Sequence, residues 1–453
     1  MVKIGTTGIA RRIGAIGLAI GLALLAPEAP AASLLRDAET EYALDTLSLP
    51  VMVSANLLAG RIPVLIVNDM SLNAFVTDGR AVFMHAGLFL RLKSPEQVQA
   101  VIAHELGHIT NSHTVRRNLN ADNARLSSGL GVALGLAAGV LSGRPDAGFG
   151  VLAGTAGSAR GVLLAHTREE EAAADRSGMR YLARSGIDPK AMAEVMRIFV
   201  GQEDLLPGRQ DAYLRSHPLS RDRLRAIESY AEVLGPQTTS HDQAQYWFDR
   251  AQAKLGGYLR EPDDTFRRYP ERDGSDAGRI GRAMAYWKLG RAEAAYAELD
   301  PVIAARPGDV YLHELKGWIA LESNRLPQAL ASYARAAELS PKEPQILAGY
   351  GRALLAQNTR ATDADALKVL ETARARDRYD PALLRDLAMA YARTGGAAEA
   401  SLYTAERYAL LGDDKSALVH ARRAAAGLSA GSPGWNRAQD IITAAEREAK
   451  TRR

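Results

Sequence analysis

Two histidines and a glutamate lie within five consecutive residues, at His104, Glu105 and His108. On an α-helix, His104 and His108 are one turn apart on the same face, so both imidazoles can reach a single metal ion. Glu105 is rotated about 100° from His104, which leaves its carboxylate near the metal but free to move a proton. This H-E-x-x-H pattern is typical of zinc peptidases, in which the metal and the carboxylate together activate a water molecule.

A second acidic group follows at Glu171 and Asp175, which are four residues apart and therefore share one helix face. We predict that Glu171 is the third zinc ligand. Asp175 is then placed to accept a hydrogen bond from the far nitrogen of a ligand histidine, His104. Three alanines separate the two carboxylates, and such small side chains let helices approach closely. The alternative is an acidic helix start that is favoured by the helix dipole.

The H-E-x-x-H residues fall inside a stretch with clear helix signals. Ser94 can cap the amino end, Pro95 suits the first helical position, and Gln97 falls where a capping box requires it. Apolar residues then recur at helical spacing, at Val98, Val101, Ile102 and Leu106. The sequence therefore predicts one capped helix that presents both histidines on a single face.

Short apolar runs before this helix are predicted to be β-strands. One covers residues 61–69, and two others flank Asp78-Gly79, a dipeptide that favours a hairpin. A strand beside a peptidase site can bind an extended substrate as one more strand, although the hairpin could equally serve only to cover the core. The candidate substrate-binding residues in the first strand of the hairpin are Asn73, Ala74 and Phe75.

The composition is that of a globular protein of two or three domains, with 453 residues, of which 47% are hydrophobic and 24% are charged. A formal net charge of +4 gives no electrostatic case for nucleic-acid binding. The sequence contains no cysteine, which excludes disulfides and leaves histidine and carboxylate side chains to hold a zinc ion.

The first part of the chain carries signs of export. Residues 1–32 have a basic start, an apolar run and small residues for cleavage, as a secretory signal peptide does, and an uncleaved anchor is the alternative. An exported chain without cysteine suggests the bacterial periplasm. Residues 127–165 are rich in small and apolar residues, but neither half is long enough to span a bilayer. We expect two close-packed helices there, with peripheral membrane contact as the alternative.

The chain from residue 242 to 453 is helical and repetitive. Pro307 and Pro341 are 34 residues apart, which is the tetratricopeptide period. Small and large residues recur at matching offsets, at Ala329, Tyr333 and Ala336, and again at Ala366, Leu370 and Ala373. We expect about four or five helical hairpins stacked as an α-solenoid, a type of structure that binds partners and carries out no chemistry.

Together these motifs resemble the zinc metallopeptidases of the HtpX and CAAX-prenyl-protease type. The resemblance rests on the H-E-x-x-H residues, the segment from Glu171 to Asp175, the later His217-Pro218 with Arg223, and Asn73-Ala74-Phe75 with Gly79. It covers roughly residues 40–230. With an apparent signal peptide before this region and repeats after it, the chain resembles the periplasmic branch, the β-barrel assembly-enhancing proteases. The resemblance implies zinc at His104, His108 and Glu171, with Glu105 as general base, and work on outer-membrane proteins.

We therefore expect a mostly α protein in three parts: a signal peptide at 1–32, a zinc metallopeptidase domain with a small β-sheet at 33–235, and a tetratricopeptide solenoid at 242–453. The expected function is that of a periplasmic zinc endopeptidase that degrades misfolded or stalled outer-membrane proteins and aids their assembly. Its expected partners are unfolded polypeptides and, through the groove of the repeats, the outer-membrane assembly machinery. The alternative is a chaperone or assembly scaffold in which proteolysis is rarely used.

His217 and Arg223 are candidates for a regulatory or transition-state role. A polar stretch from Gly201 to Ser216 is predicted to be a loop that delivers His217. A neutral imidazole could fill the fourth zinc position in a resting state. The other interpretations are a hydrogen-bond donor in the transition state, for which Arg223 is also a candidate, and a structural loop histidine.

Overall fold

The computed structural model describes residues 34–57, 62–77, 81–112, 168–201, 211–237 and 242–451. The predicted signal peptide and the small-residue segment 127–165 lie outside these ranges. None of the helices within them combines the length and the hydrophobicity that crossing a bilayer requires.

Four short strands form one mixed sheet: β1 (Leu34–Leu35), β2 (Val64–Val67), β3 (Ala74–Thr77) and β4 (Ala81–His85). Their order across the sheet is β1-β2-β4-β3. The β3–β4 pair is antiparallel, with Val76 opposite Val82, which confirms the predicted hairpin. The β2–β4 pair is parallel, with Val64 also opposite Val82. As a result, β3 lies at one edge of the sheet.

The helices that follow or flank the sheet surround the candidate site residues. They are α1 (Ala38–Ser54), α2 (Ala86–Arg91), α3 (Pro95–Thr110), α4 (Arg168–Arg184), α5 (Lys190–Arg197), α6 (Ala212–Ser216) and α7 (Arg221–Leu234). Ser94 caps α3 as predicted, accepting a hydrogen bond from the Gln97 amide at 3.4 Å. The Gln97 side chain accepts from the Lys93 amide at 2.8 Å, one residue earlier than a capping box requires. Helix α6 lies within the stretch that was predicted to be a loop.

Helices α3 and α4 cross at very short range because each has a glycine at the crossing. A Cβ atom on Gly107 would lie 2.6 Å from the carbonyl oxygen of Ala174, and one on Gly178 would lie 3.0 Å from that of Ala103. Atoms at such distances would clash, so larger side chains at either position would push the helices apart. Close packing here places the histidines of α3 directly opposite the carboxylates of α4.

The rest of the chain is a solenoid of paired helices. Its helices are α8 (Asp242–Leu259), α9 (Pro262–Arg268), α10 (Asp276–Lys288), α11 (Ala292–Ala305), α12 (Val310–Glu322), α13 (Leu326–Leu339), α14 (Pro344–Ala356), α15 (Arg360–Arg376), α16 (Pro381–Thr394), α17 (Ala397–Leu410), α18 (Asp414–Gly427) and α19 (Pro433–Thr451). The buried ring of Tyr333 packs against Gly317 and Gly349, where a Cβ would lie 2.9 and 2.3 Å from it. Residues at the repeated offsets are thus core residues, which confirms the predicted repeat architecture.

Helix α8 packs against the described residues between 34 and 237, which form the expected peptidase part, as well as against the solenoid. Phe248 and Leu255 belong to the same buried cluster as the residues of α1, α2 and α3. The Phe248 ring meets Phe89 edge to face at 5.9 Å. Arg250 is fully buried and bridges Glu39 of α1, at 2.6 Å, to Asp309 at the start of α12. Residues 242–259 therefore complete the core of the peptidase part.

Candidate metal centre

Four side chains from three places in the chain meet at one buried point. His104 and His108 project from α3, Glu171 projects from the first turn of α4, and His217 follows the last residue of α6. One nitrogen or oxygen atom from each lies within 4.8 Å of those of all the others. All four residues are at most 1% exposed, so a metal ion held there would be enclosed by protein on these sides.

The separations between these donor atoms match the size of a metal coordination sphere. The two Nε2 atoms of His104 and His108 are 3.1 Å apart, and they lie 3.4 and 3.3 Å from the carboxylate oxygens of Glu171. His217 Nδ1 is 3.3 Å from His104 Nε2 and 3.0 Å from Glu171 Oε1. Tetrahedral ligands at about 2.0–2.1 Å from a zinc ion are about 3.3–3.4 Å apart. The residues present therefore fit a small tetrahedral cation.

Glu105 lies beside this cluster and does not belong to it. Its side chain is completely buried, and Oε1 is 3.4 Å from His217 Nε2. Because Glu105 directly follows His104, it is rotated about 100° from that residue around α3, and its carboxylate approaches the cluster from the flank of the helix. This is the position that a proton-transfer group beside a metal-bound substrate would need.

A second layer of charged groups holds the cluster. Asp175 Oδ1 is 2.8 Å from His104 Nδ1, the nitrogen that faces away from the other ligands. Arg223 binds Asp175 with a forked pair of hydrogen bonds, at 2.6 and 2.9 Å, and its third nitrogen is 2.7 Å from Glu171 Oε2. The same nitrogen donates to the carbonyl of Pro218 at 3.1 Å. Arg223 is therefore held by groups around the cluster, which favours a positioning role over the predicted transition-state role.

The electrostatics follow from burial and from these pairs. Burial tends to raise the pKa of Asp175, but the charge of Arg223 and the hydrogen bonds from Arg223 and His104 lower it to about 2. For Glu171, the charges of His217 and Arg223 likewise outweigh burial and hold the pKa well below its usual value. Burial lowers the pKa of His108 well below its ordinary value. Burial tends to lower the pKa of His104, but the hydrogen bonds to Asp175 and Glu171 and the charges of these carboxylates raise it to about 10. Ionised carboxylates and neutral imidazoles are the forms that bind a metal ion, so metal binding here would release the proton of His104.

The structure brings together the residues proposed from sequence for the metal centre, namely Glu105, His104, His108, Glu171, Asp175, His217 and Arg223. The candidate substrate residues Asn73, Ala74 and Phe75 lie at or beside the start of the edge strand β3, which packs against α3. Sequence reasoning missed Tyr213, whose ring centroid is 4.7 Å from that of His217. Its spacing of four residues from His217 was a usable signal, but only if the segment had been predicted to be helical.

Comparisons with known proteins agree with this organisation. Residues 40–231 match Peptidase family M48, and residues 280–344 and 315–364 match the tetratricopeptide repeat. Among solved structures, yeast Tom70 aligns with 81% of this chain and 82% of its own length at 12% identity, with a TM-score of 0.30.

Two curated relatives share the same printed name, β-barrel assembly-enhancing protease. The protein from Yersinia pestis is 27% identical over 312 residues, covering 67% of this chain and 63% of the relative. The protein from Escherichia coli strain K12 is 26% identical over 307 residues, covering 66% and 62%. The chain thus spans less than two thirds of the length of either relative. It carries a peptidase domain of family M48, which contains the buried histidine–glutamate cluster, followed by tetratricopeptide repeats.

Proposed function

We propose that the protein is a zinc-dependent endopeptidase. The observation that carries this proposal is the buried cluster of His104, His108, Glu171 and His217, in which five of the donor-atom separations lie between 3.0 and 3.4 Å. Nitrogen and carboxylate donors at this spacing suit zinc, which takes four such ligands. When bound, zinc supplies polarisation of the scissile carbonyl and acidification of a water molecule.

In this proposal Glu105 carries the proton. Its buried carboxylate takes a proton from the attacking water and delivers it to the departing amine, which needs no other acid or base. Arg223 and Asp175 hold Glu171 and His104 in the orientation that the ligands require, since removing such supporting partners weakens metal binding in other proteins about 10–100-fold.

The edge strand β3 supports an endopeptidase in particular. No strand in the described ranges pairs with its outer edge, and β3 packs against the helix that carries the two histidines. An extended polypeptide added beside Asn73, Ala74 and Phe75 would lie along β3, next to the helix that carries the two histidines. A chain bound in this way is cut internally, with no requirement for a free amino or carboxyl end.

The position of His217 favours a resting-state role. Its Nδ1 atom lies among the donor atoms, 3.0 Å from Glu171 Oε1, where the fourth ligand of a tetrahedral site would be. We propose that His217 holds this position until substrate arrives and then withdraws. A transition-state donor would instead point at the substrate and would leave the fourth position to water.

The biological setting is proposed from the relatives and from the sequence. The name shared by the two relatives suggests substrates among β-barrel proteins. The setting in the periplasm and at the outer membrane is the prediction from sequence, and the repeats suggest a partner held by the solenoid. Unfolded or misassembled chains would then be the substrates. Peripheral membrane contact through residues 127–165 remains a prediction.

The test is hydrolysis of an unfolded protein by the purified chain, with metal content measured in the same samples. A chelator should abolish hydrolysis, and added zinc should restore it. Glu105→Gln should keep one zinc per chain and lose hydrolysis, whereas Glu171→Ala should lose both. Glu169→Ala, at an exposed position on the same helix, is the matched control and should lose neither. A zinc-loaded parent protein that cuts no substrate would instead favour the assembly-scaffold alternative.

A further inference from the structure

Tyr213 is an aromatic residue whose ring packs against the ring of His217. Its side chain is fully buried. Its ring centroid is 4.7 Å from that of His217, with 33° between the ring planes, and 4.9 Å from that of Phe199, with which it stacks at 18°. The tyrosine ring is therefore enclosed between Phe199, just after α5, and His217.

The backbone of Tyr213 anchors the same histidine. The His217 amide donates to the carbonyl of Tyr213 at 2.7 Å, which closes the single turn of α6. The Tyr213 amide donates to the carbonyl of Leu72 at 3.0 Å, next to the candidate substrate residue Asn73. His217 is thus tied through one helical turn to the chain that leads into β3.

The hydroxyl group of Tyr213 does not contribute to this anchoring. It is buried and has no hydrogen-bond partner in the part of the chain that the structure describes. A buried hydroxyl group without a hydrogen-bond partner destabilises a protein, so the hydroxyl is no source of support. The ring and the backbone hold the histidine, and phenylalanine would provide both.

We propose that Tyr213 is the positioning residue that keeps His217 at the metal cluster in the resting state. This inference rests on the proposed role of His217 as a resting-state ligand. Loss of the aromatic ring should release the imidazole and open the fourth position, while the other three ligands stay in place. A residue that supported the domain in a general way would have the opposite effect, because disordered ligands bind both metal and inhibitor less well.

The test is a double-mutant cycle with acetohydroxamate, a small inhibitor that binds a zinc ion through its own oxygens. The zinc-loaded proteins are the parent, His217→Ala, Tyr213→Leu and the double variant, with Tyr213→Phe as the matched control. Because apparent affinity scales with the fraction of open sites, each single variant should bind acetohydroxamate more tightly, by at least about fivefold. The double variant should bind acetohydroxamate no more tightly than His217→Ala alone. The affinity of Tyr213→Phe should equal that of the parent.

Three results would overturn the inference. The first is a gain in acetohydroxamate affinity in the double variant that equals the sum of the two single gains. The second is weaker acetohydroxamate binding by Tyr213→Leu than by the parent, and the third is a gain by Tyr213→Phe as large as that by Tyr213→Leu. If Tyr213→Leu does not fold, as judged by its circular dichroism spectrum, Tyr213→Met replaces it, because an unbranched side chain adapts to irregular space. A parent protein that binds no zinc would refute the proposed function itself. If only His217→Ala, and not Tyr213→Leu, bound acetohydroxamate more tightly, only the proposed role of Tyr213 would be refuted.

Discussion

Replacing Arg223 with methionine tests whether the second layer of charged groups holds the metal centre. The side chain of Arg223 is 7% exposed, and it is the cation that pairs with both Asp175 and Glu171. Methionine has a similar length and no charge, so the substitution removes the pairing and keeps most of the packing. Two buried carboxylates would then lack their cation.

The structure sets the size of the effect. Removing one partner of a buried, hydrogen-bonded ion pair typically destabilises a protein by about 3–5 kcal/mol. The lowered pKa of Asp175, from 3.8 to about 2, independently corresponds to about 2 kcal/mol of favourable interaction for that carboxylate alone. Arg223→Met should therefore lower the free energy of unfolding of the metal-free protein by about 3 kcal/mol or more at neutral pH.

Arg197 provides a matched control. It contacts Glu228 at the same distance, 2.6 Å, but the two side chains are 54% and 35% exposed. Exposed pairs contribute about 0–1 kcal/mol, so Arg197→Met should have little effect. Urea unfolding of both variants and of the parent, followed by circular dichroism, measures the difference. If the two variants differ by less than about 1 kcal/mol, or if Arg223→Met reduces only the rate of hydrolysis, the positioning role is wrong.

Three further predictions concern the rest of the molecule. Burial, opposed by Lys254, raises the pKa of Glu314 from 4.5 to about 7. Because the folded protein holds this proton more tightly than the unfolded chain, the free energy of unfolding should fall as the pH rises from about 4.5 to about 7, and Glu314→Gln should flatten that fall in urea titrations. Deletion of residues 242–453 should destabilise the peptidase part in thermal melts, because it removes α8 from the core. Gly107→Ala should reduce both zinc content and melting temperature, whereas Gly274→Ala, which has open space around it, should change neither.

The sequence predicted the elements of the site well because local signals define them. The capped helix α3 and the β3–β4 hairpin depend on residues that are near one another in the chain. The sequence alone did not show that β2 pairs with β4 in parallel, since that contact joins separate segments. Helix α6 was not predicted because it has only five residues and follows a polar stretch of the sequence. Tyr213 was missed with it.

Arg223 is a second example of contacts between distant segments that the sequence does not show. The resemblance to a known family suggested a residue near the metal, and a regulatory or transition-state role is the prediction from sequence. The positioning role proposed for Arg223 depends on Asp175, which is 48 residues away in the chain. Only the fold shows that three of its nitrogens contact Asp175, Glu171 and Pro218. A motif can thus place a residue in a site without showing what that residue touches.

The junction between the peptidase part and the solenoid depends on charge as well as on apolar contact. Lys254 of α8 contacts Asp37, Glu39 and Glu314 at 2.6, 3.4 and 3.0 Å, and these carboxylates come from both sides of the junction. Separation of the two parts would leave buried charges without partners, which costs far more than the loss of an exposed pair. Since such pairs also depend strongly on orientation, they fix how the solenoid lies against α1. A partner held by the solenoid would therefore meet the metal centre from a direction set by these ion pairs.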